Sequence, residues 1–319
     1  RLVIVGHVDH GKSTLVGRLL SDTGTLPEGR LDFIRDICKQ QGKEFEFAFL
    51  LDALEEEQEQ GITIDTSQIF FHTAQRKYVI IDAPGHKEFL KNMVTGAADA
   101  EAALLLIDAN EGVQEQSRRH GYILKLLGLT QVAVVINKMD LKGYDENVYN
   151  NIRSEYTAFL DSLGIVAREF IPVSAKLGVN IAVSKDEMPW YKGPTVLSML
   201  DQFEKKPPQD HLPFRFPVQD VYKFDERRII AGRVESGKLK AGDRVIFSPS
   251  NKQAVVKSIE AWSVPEKPNI ATSSESIGFT LDEQIFVERG DVCTLMDQLP
   301  IVSTTFDANV FWMGKRNLE

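Results

Sequence analysis

The feature that most restricts the fold is the alternation, through residues 1–200, of short apolar runs with amphipathic stretches. Short apolar runs are typical of buried strands, and amphipathic stretches are typical of surface helices. The predicted strands are Leu2 to Val5, Gln68 to His72, Lys77 to Asp82, Ala102 to Asp108, Gln131 to Asn137 and Glu169 to Pro172. The predicted helices between them include Lys12 to Leu20, Lys87 to Ala97 and Ser117 to Leu127. This pattern predicts an α/β domain with a mostly parallel sheet.

The pattern changes after a predicted helix from Leu197 to Glu204, where Lys205-Lys206-Pro207-Pro208 interrupts it. From Phe214 onward the runs are short and are separated by turns that contain glycine, which predicts a small antiparallel β-barrel. Its predicted strands include Arg215 to Val221, Ile229 to Glu235, Arg244 to Ser248 and Ala254 to Trp262. We expect three domains: residues 1–206, residues 207–299, and residues 300–319 with the first strand of a truncated second barrel, Asp307 to Trp312.

Composition excludes several classes of protein. The 319 residues contain no apolar run as long as the roughly 18 to 20 residues that a membrane span needs, so we expect no membrane association. The formal net charge of −9 argues against general affinity for nucleic acid, because binding to the phosphate backbone needs clustered Lys and Arg. Cys38 and Cys293 match no metal spacing and are expected to be reduced thiols of a cytoplasmic protein.

Residues Gly6 to Thr14, with the sequence GHVDHGKST, carry the first chemical signal. They fit G-x-x-x-x-G-K-[ST] and lie between the first predicted strand and the first predicted helix, which is the context of a phosphate-binding loop. In such a loop, backbone N–H groups face the phosphates, Lys12 reaches the β- and γ-oxygens, and Ser13 supplies a hydroxyl to Mg²⁺. The predicted binding residues are Gly6, His7, Val8, Asp9, His10, Gly11, Lys12, Ser13 and Thr14.

Two later segments complete a predicted Mg²⁺ site. Thr63 offers a second hydroxyl ligand, on a loop that orders when a γ-phosphate is present. Asp82 ends a predicted strand and is expected to hold Mg²⁺ through water, and the Gly85 N–H can sense the γ-phosphate. His86 follows at a position from which a side chain can orient the attacking water. We predict that the metal ligands are Ser13, Thr63 and Asp82, and that the catalytic residues are His86, Lys12 and Thr63.

Two further strand ends predict specificity for guanine. Asn137-Lys138-Met139-Asp140 ends one predicted strand, and Ser174-Ala175-Lys176 follows another. The carboxylate of Asp140 can accept from both guanine N1–H and the N2 amino group, a pattern of donors that adenine does not present. A buried polar site left unpaired discriminates between ligands by about 10⁴ to 10⁵. GTP or GDP, with Mg²⁺, is therefore the expected ligand.

Taken in order, these motifs resemble those of the translational GTPase superfamily, and the resemblance extends over essentially the whole chain. It rests on Gly6 to Thr14, Gly61 to Asp65, Asp82 to His86 and Asn137 to Asp140. The resemblance implies a Ras-like G domain, then a β-barrel, and usually a second barrel. It also implies that His86 orients the water, with Val8 and Ile62 forming a hydrophobic gate beside it.

Two branches of this superfamily remain open. One is similar to the GTP-binding large subunit of sulfate adenylyltransferase, whose partner is a small catalytic subunit that makes adenylyl sulfate. Gln60 before Gly61, Arg118-Arg119-His120 and the run from Phe306 to Met313 favour this branch. The other is similar to elongation factor 1-alpha, with aminoacyl-tRNA and the ribosome as partners, and Gly42 to Leu51 and Met188 to Thr195 favour it. We expect the sulfate branch, with the elongation-factor branch as the alternative.

The aromatic residues of the predicted barrel allow two interpretations. Phe214, Phe216, Tyr222 and Trp262 can form either the core of the barrel or a surface for a partner. Because aromatic side chains bury large apolar areas, core packing is the simpler expectation.

Overall fold

The computed structural model describes residues 1–26, 28–40, 42, 44–51, 68–82, 100–205, 207–224, 227–261, 267–301, 303–305 and 307, with the backbone alone at residues 68, 82 and 224. The chain divides into two compact units, Arg1–Lys205 and Lys206–Glu319, and each is described by itself. Within the described ranges, no helix is long and apolar enough to cross a membrane.

The first unit is built on a six-stranded sheet with the strand order β2-β3-β1-β4-β5-β6. β2 pairs with β3 in the antiparallel sense, and every other neighbouring pair in this sheet is parallel. The strands are β1 Leu2–Gly6, β2 Gln68–His72, β3 Lys77–Asp82, β4 Ala102–Asp108, β5 Val132–Asn137 and β6 Ala167–Pro172. The prediction of an α/β domain with a mostly parallel sheet is confirmed.

Helices cover both faces of the sheet. They are α1 Lys12–Asp22, α2 Arg30–Gln40, α3 Glu115–Leu126, α4 Glu146–Ser162 and α5 Val196–Gln202, with a short 3-10 helix at Met139–Lys142. Apolar side chains of α3 and α4 pack in one buried cluster with the sheet, and those of α1 and α5 pack in another. The predicted helix from Lys87 to Ala97 lies outside the described residues.

Local sequence explains where two of these helices begin. The Asp145 side chain accepts from the Asn147 backbone N–H at 2.8 Å before α4, and Thr195 accepts from the Ser198 N–H at 3.2 Å before α5. Such caps satisfy backbone donors of the first turn that have no partner within the helix. The parallel strands then bring the loops after β1, β4, β5 and β6 to one edge of the sheet, where the predicted binding residues lie.

The second unit contains a closed barrel with the strand order β10-β11-β13-β8-β7-β14, closed by antiparallel pairs. Its strands are β7 Phe216–Phe224, β8 Arg227–Arg233, β10 Arg244–Ser248, β11 Lys252–Glu260, β13 Ser276–Leu281 and β14 Val292–Leu295. Beside it, β9 Lys238–Lys240 pairs with β12 Ile270–Thr272. The predicted antiparallel barrel is confirmed.

The barrel interior holds two of the four aromatic residues that the sequence singled out. Phe214 and Phe216 are buried, and the Phe216 ring meets that of Phe279 at 5.1 Å between centroids. Tyr222 is half exposed, and Trp262 lies outside the described residues. Core packing therefore accounts for the first two. Of the predicted third-domain strand, the structure describes only Asp307, so that prediction stays untested.

Candidate functional site

The loop between β1 and α1 has the backbone geometry of an anion-binding turn. Asp9 and Gly11 have positive φ angles of 64° and 87°, a region that glycine adopts without strain. A Cβ atom added at Gly11 would collide with the side-chain nitrogen of Asn137, so glycine is also required by space. Gly11 is the N-cap of α1 and offers no side chain to the N–H groups of the first turn. Those donors and the helix dipole favour an anion at this end of α1.

Lys12 is held close to this loop. Its Nζ donates to the carbonyl oxygens of Gly6 at 2.9 Å and of His7 at 3.0 Å. The carbonyls fix the ammonium beside the loop, and a lysine is a compact charge that can also meet a phosphate oxygen. The loop therefore combines a fixed positive charge with backbone donors, as the binding of a polyphosphate requires.

Asn137 connects this loop to the loop that follows β6. Its Nδ2 donates to the His10 carbonyl oxygen at 2.9 Å, and its Oδ1 accepts from the Ala175 backbone N–H at 2.9 Å. Asn137 is buried, as are Ser174 and Ala175. A buried amide with both ends satisfied fixes its neighbours, since losing either bond would leave a polar group without water. Asn137 thus holds two loops of the site in register.

Lys138 is placed by an acidic residue that the sequence did not single out. Lys138 Nζ lies 2.7 Å from Asp108 Oδ2, and the other oxygen of this buried carboxylate accepts from the Asn110 N–H at 2.7 Å. Lys138 itself has a positive φ of 63° and caps the 3-10 helix that contains Asp140. The signal that could have found Asp108 is its position at the end of the buried run Ala102 to Asp108.

These loops surround a cleft of about 770 Å³. Its walls hold Val8, Asp9, Gly11, Lys12, Ser13, Thr14, Asn137, Lys138, Asp140, Leu141, Lys176 and Leu177. The cleft has donors and a positive charge where α1 begins, and a carboxylate where the 3-10 helix begins. Phosphates and a base with paired N–H donors fit those two sets of groups. The residues therefore suit a guanine nucleotide.

Several predicted binding residues lie behind this lining. The imidazole of His10 is fully buried, with Nδ1 3.1 Å from the Leu106 carbonyl oxygen and Nε2 3.3 Å from a Glu111 carboxylate oxygen. His7 meets the His10 ring edge to face at 5.4 Å between centroids. The side chain of His10 therefore supports the loop from below, while its backbone carbonyl receives the bond from Asn137.

The predicted Mg²⁺ site is described only in part. Ser13 lines the cleft, and Asp82 ends β3 beside Ile4 of β1, but the structure does not describe its side chain. Thr63, Gly85 and His86 lie outside the described residues, as does Ile62 of the implied gate. Over the described ranges, no group of three or more His, Cys, Asp or Glu side chains is arranged to hold a metal ion. The metal ligands and the water-orienting histidine stay predictions.

One wall of the cleft was not expected to contact a ligand. Residues 44–48 line it together with the phosphate loop. Glu44 pairs with Lys176, another residue of the lining, at 3.2 Å. Local sequence predicts no ligand contact for this segment, because its approach to the cleft is a contact between distant parts of the chain.

A second cavity of about 600 Å³ lies elsewhere on the first unit and includes Asp22, His72 and Asp201 in its lining. Asp201 accepts from the Thr73 hydroxyl at 2.8 Å and from the Tyr78 hydroxyl at 2.6 Å. Burial, then this bond to Asp201, raises the pKa of the Tyr78 phenol. Because its carboxylates are already paired with neighbouring side chains, this cavity offers weaker chemistry than the cleft.

Comparisons with known proteins agree with this geometry. A family model described as the elongation factor Tu GTP binding domain matches residues 1–206. An elongation factor 1-alpha from Thermoplasma acidophilum is 43% identical over 317 residues, which cover 97% of this chain and 74% of that protein. Several other elongation factors 1-alpha match at similar identity and coverage.

A sulfate adenylyltransferase subunit 1 from Aliarcobacter butzleri is 40% identical over 323 residues, which cover 100% of this chain and 68% of that protein. Among solved structures, the elongation factor SelB from Methanococcus maripaludis, in complex with a GTP analogue, has a TM-score of 0.53. At 23% identity over 93% of this chain and 54% of that chain, this likeness shows the fold alone. The relatives favour the elongation-factor branch over the sulfate branch that the sequence motifs favoured.

Proposed function

The chain belongs to the family of the elongation factor Tu GTP-binding domain, the translational GTPases, and from this premise we propose that it is a Mg²⁺-dependent GTPase of the elongation factor 1-alpha kind. In this proposal its GTP-bound form carries aminoacyl-tRNA to the ribosome. The observation that carries the GTPase assignment is the Asn137 bridge, because it joins a phosphate-binding loop to a base-binding loop around one cleft. The choice of branch rests on the 43% identity over 97% of the chain.

The proposed roles follow the chemistry of phosphoryl transfer, in which positioning and charge neutralisation dominate. Lys12 and the N–H groups of its loop bind the phosphates, and Asp140 accepts from the guanine edge. Mg²⁺ would be held by Ser13, Thr63 and Asp82, and it supplies charge neutralisation at the phosphate oxygens. The Gly85 N–H would meet the γ-phosphate, and His86 would orient the attacking water.

Exchange of Asp140 for its amide tests the guanine assignment. Asp140→Asn should weaken GTP binding by about 100-fold or more, because an amide nitrogen would face guanine donors. The same variant should bind xanthosine triphosphate more tightly than the unaltered protein does, since xanthine has a carbonyl where guanine has an amino group. Asp145→Asn is the matched control, because Asn is also a good helix cap and Asp145 lies outside the cleft lining. Titration calorimetry with both nucleotides would reject the assignment if GTP affinity were unchanged.

A functional assay of the full-length protein separates the two branches. The elongation-factor proposal expects GTP, and not GDP, to make the protein protect the ester bond of aminoacyl-tRNA from hydrolysis. The second candidate, a GTPase subunit of sulfate adenylyltransferase, is supported by the 40% identity that spans the whole chain. It expects sulfate-dependent exchange between ATP and pyrophosphate that rises with GTP when a small catalytic subunit is present. Exchange without protection of aminoacyl-tRNA would replace the first candidate with the second.

A further inference from the structure

We propose that Arg18 is a positioning residue that holds two walls of the nucleotide cleft together and so slows the release of a bound guanine nucleotide. One wall is residues 44–48, and the other is residues 174–178, the loop that follows β6. This inference rests on the proposed function, because it takes a guanine nucleotide to be the occupant of the cleft.

Arg18 is fixed before it meets either wall. It lies on α1, where its Nε is 2.9 Å from both carboxylate oxygens of Asp22, one helical turn further on. Its side chain is only 21% exposed. A planar guanidinium held in this way keeps one orientation and presents its faces to other groups. Arg18 can therefore act as a rigid contact for both walls.

The first wall rests directly on α1 at this position. The Arg18 guanidinium carbon lies 4.9 Å from the centre of the Phe47 ring, the geometry of a cation–π contact. The preceding residue, Gly17, is so close to the Phe47 backbone that an added Cβ would overlap the Phe47 carbonyl. Segment 44–48 is thus seated on α1 by one side-chain contact and one backbone contact, and the same segment lines the cleft.

The second wall touches the same guanidinium. Gly178 has a φ of +70°, and an added Cβ would overlap the Arg18 guanidinium. Gly178 ends the loop that begins at Ser174 and contains Lys176 of the cleft lining. Arg18 therefore lies between Phe47 of one wall and Gly178 of the other.

A second link between the walls is weaker. Glu44 and Lys176 form an ion pair at 3.2 Å, but their side chains are 77% and 58% exposed. Exposed ion pairs contribute little to stability because water and salt screen them. We therefore assign the connection of the two walls mainly to Arg18, and we expect Glu44→Gln to have a small effect.

The consequence for the nucleotide concerns the base and the ribose more than the phosphates. Neither wall belongs to the loop 6–14 that is expected to bind phosphates. If Arg18 is removed, the walls lose their common support and the nucleotide is held by fewer fixed groups, which raises the dissociation rate. We expect about a tenfold increase in the release rate of both GDP and GTP, the size of one lost cation–π contact that is only partly buried.

The test compares Arg18→Ala with Arg153→Ala in the full-length protein. Arg153 is an exposed residue of α4 whose guanidinium lies 6.0 Å from the Tyr149 ring, so its loss also removes an Arg–aromatic contact, but away from the cleft lining. Release of GDP and GTP is measured by chase with excess unlabelled nucleotide, and binding of inorganic tripolyphosphate is measured by calorimetry. Arg18→Ala should release nucleotides about tenfold faster and bind tripolyphosphate as the control does. Equal release from both variants would overturn the inference.

A second variant approaches the same contact from the other wall. Gly178→Ala should also speed nucleotide release, because the added methyl group displaces the guanidinium. Gly128→Ala is its control: it has a φ of +68°, so it brings the same backbone strain, but its Cβ would face open space. If tripolyphosphate binding fell as much as nucleotide binding in both test variants, Arg18 would only support the fold of α1, and the inference would be wrong. A wild-type protein that bound no guanine nucleotide would refute the proposed function itself, which is a separate outcome.

Discussion

The two units of the chain differ in where the side chains that stand out in the sequence lie. In the first unit, Lys12, Asn137 and Asp140 follow the ends of parallel strands and meet around one cleft. In the barrel, the large aromatic residues Phe216 and Phe279 point into the interior and have no exposure. A parallel sheet brings several loops to one edge, so polar residues after its strands converge on a ligand. A closed antiparallel barrel instead gathers alternate side chains into its own core.

This difference explains why the residues that indicate a function lie in the first unit. The loops after β1, β5 and β6 are far apart in sequence. Each carries a motif that can form a binding site only together with the motifs of the other loops. Of the barrel residues that stand out in the sequence, Phe214 and Phe216 are explained by packing. Substitutions in the barrel core should therefore change stability and not nucleotide binding, whereas substitutions at the strand ends should change nucleotide binding.

The largest effect is expected in the barrel core. Phe216→Ala should lower the free energy of unfolding of the barrel by about 3 to 5 kcal/mol, because it leaves a cavity next to Phe214 and Phe279. Denaturant unfolding measures the loss, and calorimetry should give an unchanged affinity for GDP. Phe286→Ala is the control, since that ring is 66% exposed and its loss should cost about 1 kcal/mol or less. Weaker GDP binding by Phe216→Ala, under conditions where the protein stays folded, would contradict the proposal that the barrel core affects stability and not nucleotide binding.

Asn137→Ala is expected to have a smaller effect, and this effect concerns the binding of GDP. The change leaves the His10 carbonyl and the Ala175 N–H without their partner, at a cost of about 2 to 3 kcal/mol. We expect GDP affinity to fall by about 30-fold or more, because the phosphate and base loops lose their connection.

The control is Asn180→Ala. Asn180 is also a buried amide, and it joins the Pro172 carbonyl to the Lys185 N–H without contacting the phosphate loop. It should lower stability by a similar amount and leave GDP affinity nearly unchanged. Calorimetry and urea unfolding on both variants separate the two effects, and equal losses of GDP affinity would show that Asn137 has no special role in the site.

Local sequence patterns predicted the strands whose ends are marked by turn residues. β2, β3 and β4 begin and end where the sequence predicted, since each is an apolar or alternating run bounded by turn residues. α4 was not predicted, although Tyr149, Ile152, Tyr156 and Phe159 follow helical spacing and are buried. Strands β9 and β12 have three residues each, which is too short for a periodic pattern to be detected.

Local sequence predicts site residues where the chemistry lies within one loop. The phosphate loop and the guanine motif are predicted because their residues are consecutive, and their roles stay predictions. The pairing of Lys138 with Asp108 and the contacts of Arg18 with Phe47 and Gly178 join distant segments, so only the folded chain reveals them. The short motifs that favoured the sulfate branch carry little chemistry, and the relatives favour the elongation-factor branch.

The two units should also differ in their response to mild acid. His120 is buried on α3, and this burial, with the nearby charges of Lys12, His10 and His7, lowers the pKa of its imidazole from 6.5 to about 4. Between these two pH values the unfolded chain binds a proton that the folded chain does not, so stability is highest above pH 6.5 and falls as the pH is lowered. The loss between pH 7 and pH 5 should be about 2 kcal/mol.

In the second unit, burial raises the pKa of the Cys293 thiol, and hydrogen bonds lower the pKa of the Asp210 carboxyl, so neither of these groups changes charge in this interval. Urea unfolding at pH 7 and pH 5 measures the effect. His120→Gln should remove most of the pH dependence, because glutamine keeps a polar group of similar size without a titrating proton. An unchanged slope in His120→Gln would show that the acid sensitivity does not originate in His120.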